Sequence, residues 1–367
     1  MRNLIAIFLV GILILLSIPQ WAGAQWVQAA NPGGGWITAI VVSGTNLFAS
    51  TRKGGVFLST DNGTSWRAVN SGLPKETDFQ CLAVSGTNLF AGSVEHGIFL
   101  STDNGTSWTA VNSGLPEKSS VWRLAVSGTN LFAAVGPDGS ATVYLSTDNG
   151  VSWKPANSGL GDTNVMCLAV IGTDLFVGTG VPFSNKAGGV FLSTDNGTSW
   201  KAVSSGLPEK NPILRFAVSV TNLFAGTWAA GRVFLSTDNG MSWTAVNSGL
   251  PDPLVFSLSD LAVSGTDLFL GSFMGVFLSA NNGASWTAIN SGLPTEGNSV
   301  YSLAVSETDL FAGTEEGKVW RLSLSDEYFV FAKWHNLGVS YIQAGRLDDA
   351  IAAYEKAVKL KSEFAGA

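Results

Sequence analysis

Histidine and cysteine are nearly absent from this chain, which has 2 of each among 367 residues. His96 and His335 fall in segments of different pattern, so neither a zinc site nor a Ser-His-Asp triad has the ligands it needs. Two cysteines cannot form a disulfide framework. Cys81 and Cys167 each precede a Leu-Ala-Val phrase, two repeat units apart. A whole unit should therefore separate them, whereas a bridge needs Cα atoms within about 7 Å, and both read as buried small hydrophobes. Charge is thin as well: 13% of residues are charged, and the net charge is -7. Without a basic stripe there is nothing to neutralise phosphates, which excludes a nucleic-acid partner. No metal or cofactor site is expected.

Long apolar runs are missing except at the start. Residues 1–24 read as a secretory signal, with Arg2 as the positive start, an apolar run from Leu4 to Ile18, and Ala22-Gly23-Ala24 as a small-residue cleavage site. The run is shorter than the roughly 18 to 20 residues of a membrane span, and Pro19 follows it. No Cys follows for lipid attachment. The expectation is a protein without a membrane span after cleavage, secreted or held in the periplasm or cell envelope; an uncleaved anchor is the alternative.

What the chain has in abundance is glycine, 43 residues, and a recurring octad. Ser59-Thr-Asp61-Asn-Gly63-Thr-Ser-Trp66 returns with Asp103, Asp148, Asp195 and Asp238, closing on Trp108, Trp153, Trp200 and Trp243. A weaker copy, with Asn281 for the acid, ends at Trp286. Successive tryptophans are 42, 45, 47, 43 and 43 residues apart, the period of a four-stranded propeller blade. Asp-Asn-Gly is turn chemistry, because Asx side chains bond nearby amides and Gly accepts positive φ; the Trp supplies an apolar anchor.

A second phrase precedes each octad: Ile40 to Phe48, Leu82 to Phe90, Leu124 to Phe132, Leu168 to Phe176, Phe216 to Phe224, Leu261 to Phe269 and Leu303 to Phe311, seven in all. Each predicts strand, tight turn and strand; Gly-Val-Phe-Leu-Ser then gives a third strand, and Trp-Thr-Ala-Val-Asn after the octad a fourth. The seventh unit stops after its third strand at Ser323, and Gln25 to Asn31, which resembles a fourth strand, has no blade of its own. The predicted fold is an all-β, seven-bladed propeller over residues 25–325, closed by the mature amino-terminal strand so that no edge stays open.

Past Ser325 the period changes to a helical one. Trp334, Leu337, Gly338, Tyr341, Gly345, Ala350, Tyr354 and Ala357 resemble a tetratricopeptide repeat, with Ser362 where that family usually has Pro. Residues 326–367 are thus read as one helical hairpin, either packed on the propeller's side or serving as a docking element; truncation of a longer array is a further alternative.

The octad resembles the Asp-box, or bacterial neuraminidase repeat, of sialidases, sortilin-type receptors and photosystem II assembly factors. The resemblance implies a structural role for Asp61, Asp103, Asp148, Asp195, Asp238 and the six tryptophans at the hairpin between outer strands. Among these families the photosystem II assembly-factor type is the most similar in blade number and box density. The loops joining second to third strands, and those joining blades, differ between units and share one face. The ligand candidates on it are Trp36, Arg52, Trp122, Arg123, Arg215 and Trp228, with Lys53, Glu95, His96, Phe183, Lys186, Met274 and Tyr301 also there.

The sialidase resemblance implies three arginines on a carboxylate and a Tyr nucleophile with a Glu. Arg52, Arg123 and Arg215 could face one mouth, but no Phe-Arg-Ile-Pro signature occurs, and sialidase propellers have six blades. One carboxylate per octad is too few for calcium, and the Asn-Gly-Thr triplets at Asn62, Asn104 and Asn196 formally match glycosylation acceptors but are explained by the turn. The reading is a noncatalytic, exported interaction or assembly scaffold with a protein partner. The alternatives are a carbohydrate-binding or sialidase-like glycoside hydrolase propeller, with exposed Trp122 and Trp228 as stacking platforms, and a purely structural surface protein.

Overall fold

The computed structural model describes residues 25–137, 140–161, 163–181, 188–209, 211–228, 232–251, 258–294 and 299–364. The signal read over 1–24 and the loop candidates Phe183 and Lys186 lie outside the described residues.

Seven four-stranded antiparallel sheets form the blades of a propeller. Blade 1 runs through Ile37–Ser43, Asn46–Thr51, Gly55–Ser59 and Arg67–Ala68, and blades 2 to 6 repeat the pattern. Blade 7 takes three strands from the end of the series and its fourth, β1 (Val27–Gln28), from the amino-terminal side, with Val27 opposite Arg321 and Gln28 opposite Trp320. The ring is closed as the unpaired segment implied.

Apolar strands with neighbours on both faces make the core a series of layers between blades. One layer joins Phe48, Val56, Leu58 and Val69 of blade 1 to Phe79, Leu82, Phe99 and Trp108 of blade 2. The repeated phenylalanines Phe48, Phe90, Phe132, Phe176, Phe224, Phe269 and Phe311, one per blade, are fully buried. Truncating any one to Ala should cost about 3–5 kcal/mol. Burial is deepest in the second and third strands; the innermost strand, next to the channel, is half-buried along much of its length.

The fourth strand is shorter than the sequence suggested, two residues in every blade. The octad tryptophan leaves the ladder to bind the preceding blade. Indole Nε1 of Trp108, Trp153, Trp200, Trp243 and Trp286 donates to a carbonyl of the blade before at 2.7–2.9 Å. Trp26 does the same from blade 7 to Ile289 at 2.6 Å. At the seam between blades 7 and 1 the series stops, and the buried Trp66 Nε1 has no partner among the described residues.

The turn between first and second strands needs a left-handed residue, which Gly44, Gly86, Gly128, Gly172 and Gly265 supply at φ near 60° with open space around each. Glycine is there for its backbone freedom rather than for room. In blade 5 Val220 takes that position at φ 56° with its side chain exposed, a strained arrangement for a β-branched residue.

Two helices, α1 (Glu327–Gln343) and α2 (Leu347–Phe364), form the predicted hairpin. Gly338 lets them close: a Cβ there would lie 2.8 Å from the Tyr354 ring. No described helix is long and apolar enough to cross a membrane.

Candidate functional site

Each innermost strand begins with a β-bulge, at Trp122 in blade 3 and Leu214 in blade 5 for instance. Because these strands enter from the face of the inter-blade loops, the bulges ring the mouth of the channel on that variable face. The residue after the bulge is Cys81, Arg123, Cys167, Arg215 and Asp260 in blades 2 to 6.

Arg215 Nε lies 3.6 Å from Asp260 Oδ1, and its Nη1 donates to the Leu214 carbonyl at 2.8 Å. Arg123 Nη1 donates to the Trp122 carbonyl at 2.6 Å. Asp260 also accepts the backbone N–H groups of Leu261 at 3.0 Å and Leu303 at 2.7 Å. Burial lowers Arg215 to about 10, the Arg123 charge pushes the same way, and Asp260 opposes both. Burial raises the Asp260 carboxyl against the pull of Arg215. This part of the rim therefore holds two guanidiniums to one carboxylate, an excess of positive charge.

Cys81 and Cys167 are free and buried, as expected. Each Sγ points to a carbonyl of the next blade, Val121 at 3.7 Å and Ile213 at 3.4 Å. Burial pushes both thiols up to about 12, so they stay protonated and unreactive.

A second group joins blades 1, 6 and 7 on the same face. The Arg52 guanidinium sits 4.7 Å over the Trp36 ring and pairs with Asp78 at 3.3 Å. Trp36 packs on Tyr301 with centroids 5.3 Å apart, and Phe273 reaches Tyr301 from the other side at 5.7 Å. Phe273 and Met274 are 43% and 46% exposed, which makes an apolar shelf beside the stacked guanidinium. The Tyr301 hydroxyl faces Glu315 at 3.5 Å. Burial raises its pKa, Glu315 adds to this, and Arg52 opposes.

Thus Arg123 and Arg215 come together, while Arg52 belongs with Trp36 and Tyr301. Lys53, Glu95 and His96 are exposed on their loops. Two expectations are corrected. Trp122 is half-buried in the layer between blades 3 and 4, its indole donating to the Gly136 carbonyl at 3.0 Å, and Trp228 is also half-buried, so neither is an exposed platform. Asp260 and Phe273 were not anticipated, although Asp260 stands at the repeat position of Arg123 and Arg215 and an alignment of units reveals it.

The opposite face carries the octads, which are closed hydrogen-bond circuits. In blade 2 Ser101 Oγ donates to Asp103 Oδ1 at 2.8 Å and accepts the Gly105 N–H at 2.8 Å. Ser107 brings its N–H to Asp103 Oδ1 at 2.9 Å and its hydroxyl to Oδ2 at 2.6 Å. The Ser107 hydroxyl first, then its backbone and Ser101, lower Asp103 to about 2. Asp148 and Asp195 fall to about 2, and Asp61 and Asp238 are lowered, for the same reasons.

The helical hairpin docks on this face, over blade 6. Phe329 enters the layer of Trp26, Leu278, Leu293 and Trp320. Lys333 Nζ reaches Asp267 Oδ2 at 2.6 Å, and Ser340 Oγ donates to Ser285 Oγ of the sixth octad at 2.6 Å. In blades 4 and 7 the residue equivalent to Asp267 receives the octad Asn of the next blade: Asn239 donates to Asp174 at 2.5 Å, and Asn62 to Asp309 at 3.3 Å. Blade 7 has no octad to offer Asp267, and Lys333 takes that place. The described contacts of the hairpin all lie on the octad face, opposite the variable one.

A family model described as Tetratricopeptide repeat matches residues 332–364. No curated protein matches the chain. Among solved structures, the chain is similar to YCF48 from Cyanidioschyzon merolae, at 14% identity and a TM-score of 0.62 over 82% of this chain and 99% of that one. YCF48 bound to D1 peptide is similar at 17% identity and 0.63, over 81% and 95%. A GH74 xyloglucanase from Xanthomonas campestris is similar at 18% identity and 0.64, but 82% of this chain spans 54% of that enzyme. These likenesses are of fold.

Proposed function

We propose that this chain is a noncatalytic, exported interaction scaffold that holds a protein segment across the variable face of the propeller. The observation that carries the reading is the half-exposed apolar shelf of Trp36, Tyr301, Phe273 and Met274, with Arg52 stacked on it, on the same variable face as the cationic rim of Arg123 and Arg215 and opposite the hairpin. Stacked aromatics and arginine are the side chains that dominate interface energetics. An extended segment lying on the shelf would bring an acidic group to the rim. A peptide complex of YCF48, which shares the fold, supports this use of the scaffold.

The octads are taken to be Asp-boxes with a structural duty, and residues 1–24 to be a cleaved signal that places the protein outside the cytoplasm. The same shelf favours carbohydrate as the second reading, since sugar faces stack on aromatic rings.

Capture from the cell-envelope fraction by the immobilised protein, compared with Trp36→Ala and Phe273→Ala, tests the proposal. Loss of one captured protein in both variants, at unchanged melting, is expected. Equal capture by all three removes the shelf from function, and retention of glycans in place of protein transfers the site to the second reading. Release of sialic acid from a fluorogenic glycoside, abolished in Arg123→Ala, would overturn the noncatalytic role.

A further inference from the structure

The chain contains six Asn-Gly pairs, and all six are octad turns: Asn62, Asn104, Asn149, Asn196, Asn239 and Asn282, each followed by glycine. Asn-Gly is the dipeptide most prone to spontaneous deamidation, because an unhindered glycine nitrogen can attack the preceding carboxamide. The nitrogen bonds to Cγ and ammonia leaves; water then opens the resulting succinimide to aspartate or isoaspartate. Two successive residues at positive φ favour Asn-Gly in this turn, so the fold itself brings the labile pair in six times over.

In every octad the attacking nitrogen is already engaged. The glycine N–H donates to the octad serine Oγ at 2.7–2.8 Å, from Gly63 to Ser59, Gly105 to Ser101, Gly150 to Ser146, Gly197 to Ser193, Gly240 to Ser236 and Gly283 to Ser279. All six glycines are buried. The serine hydroxyl is itself oriented by the Asp or Asn side chain two positions on, at 2.7–3.0 Å. The asparagines are all in the left-handed region, φ 55–60°, so the whole turn is held in one conformation. A nitrogen must lose its proton to attack, and here that proton is committed to a buried acceptor.

The six differ in a second respect. Asn62 and Asn239 donate their carboxamides to Asp309 and Asp174, and Asn196 accepts from Asn130 at 3.1 Å, all on the preceding blade. Asn104, Asn149 and Asn282 are exposed, as Asn196 is, but make no such inter-blade bond among the described residues.

We propose that the octad serine is a chemical lock on asparagine deamidation, and that Asn104, Asn149 and Asn282, lacking the inter-blade tie, are the latent modification sites of the propeller. Conversion at Asn104 or Asn149 adds a carboxylate beside the octad aspartate, conversion at Asn282 puts one into the octad that has none, and isoaspartate lengthens the main chain inside the circuit. The serine thereby keeps the blade chemically as well as conformationally intact.

The test is peptide mapping by mass spectrometry after incubation of the full chain at mildly alkaline pH, folded and in urea. In urea all six sites should deamidate at similar rates. In the folded protein each should be slower by more than an order of magnitude, because a buried, bonded amide is freed only by local opening, and the residual reaction should fall on the three untied sites. Ser101→Ala should accelerate Asn104 alone, with the other five sites as controls in the same molecule. Deamidation of Asn104 as fast in the folded protein as in urea overturns the lock. So does an unchanged Asn104 rate in Ser101→Ala, or an acceleration shared by Asn62 and Asn239, which would report blade opening instead. Equal residual rates at tied and untied sites overturn the second half.

Discussion

Ser340 of the first helix donates to Ser285 of the sixth octad at 2.6 Å, and Ser285, the second serine of that octad, is the one whose acid partner has been replaced: Asn281 Nδ2 donates to it at 2.9 Å, where the other five octads set a carboxylate. The exchange of Asp for Asn falls on the octad that the hairpin covers. Asn281 and Ser285 are half-buried, whereas Ser65, Ser107, Ser152, Ser199 and Ser242 are exposed. A carboxylate beneath a helix would lose its water, a cost that the neutral amide avoids.

Asn281→Asp should therefore loosen the hairpin while leaving the blades intact. Restoring the common octad places an anion under α1, and the docked state should lose about 1–3 kcal/mol. Limited proteolysis between residues 324 and 345 should speed up in the variant, with near-unchanged far-ultraviolet circular dichroism. Unaltered cleavage would mean that the neutral octad has no part in docking.

Val220→Gly should stabilise the protein, an unusual direction for a mutation to glycine. The valine holds φ 56° with nothing in its favour, since its side chain is 84% exposed. Left-handed backbone costs an L-residue roughly 1–2 kcal/mol, partly offset by glycine's greater unfolded-state entropy. A net gain of about 0.5–1 kcal/mol in urea unfolding is expected, and any loss of stability would contradict the strain.

Acid should unfold the propeller late and then steeply. Five octad carboxylates have folded pKa values below their unfolded value of about 3.9, with Asp103, Asp148 and Asp195 at about 2. Their stabilisation is complete above the unfolded value and disappears as pH falls toward 2. Asp260 and Asp267, raised by burial, act in the opposite sense, adding a cost as pH rises through their elevated range. Melting temperature against pH should drop mainly below about 4, and Asp103→Asn should lower the plateau and flatten that limb. A variant with the parent's acid limb would remove the octad carboxylates as its cause.

Deleting residues 25–31 should expose the third strand of blade 7 and take Trp26 out of the layer it shares with Leu293, Leu303 and Leu322. Loss of a buried Trp alone costs about 3–5 kcal/mol, and an unpaired strand edge invites association. Sedimentation should show aggregates or broadened unfolding; a monodisperse, equally stable truncation would rule out closure as a requirement.

Blade number, ring closure and the hairpin were legible because they rest on local pattern: period-two apolar strands, the octad turn, and the i, i+3, i+4 spacing from Trp334 to Ala357. The fourth strand was overread, since the octad tryptophan looks like a strand residue in one dimension and is an inter-blade anchor in three. Arg123 and Arg215 occupy equivalent repeat positions, the first residue after the bulge, and so stand on one rim, whereas Arg52 stacks on Trp36 in another blade. Trp122 was misjudged because exposure depends on Gly136, which accepts its indole from across the sheet. The docking face was not readable at all, because Lys333 to Asp267 and Ser340 to Ser285 are contacts between residues 66 and 55 positions apart.

The indole of Trp26 meets the Ile289 carbonyl across 263 positions of sequence. Six blades can each form from a contiguous stretch and template the next, so their assembly is local, parallel and fast. The final strand has no such freedom: it must wait, unpaired, until the most distant part of the propeller exists, and the entropy of closing that loop falls on a single event. The rate at which this protein reaches its native state is accordingly set by one short amino-terminal segment rather than by its seven-fold repetition, and a change at Trp26 should slow folding more than the equivalent change at Trp108 or Trp153.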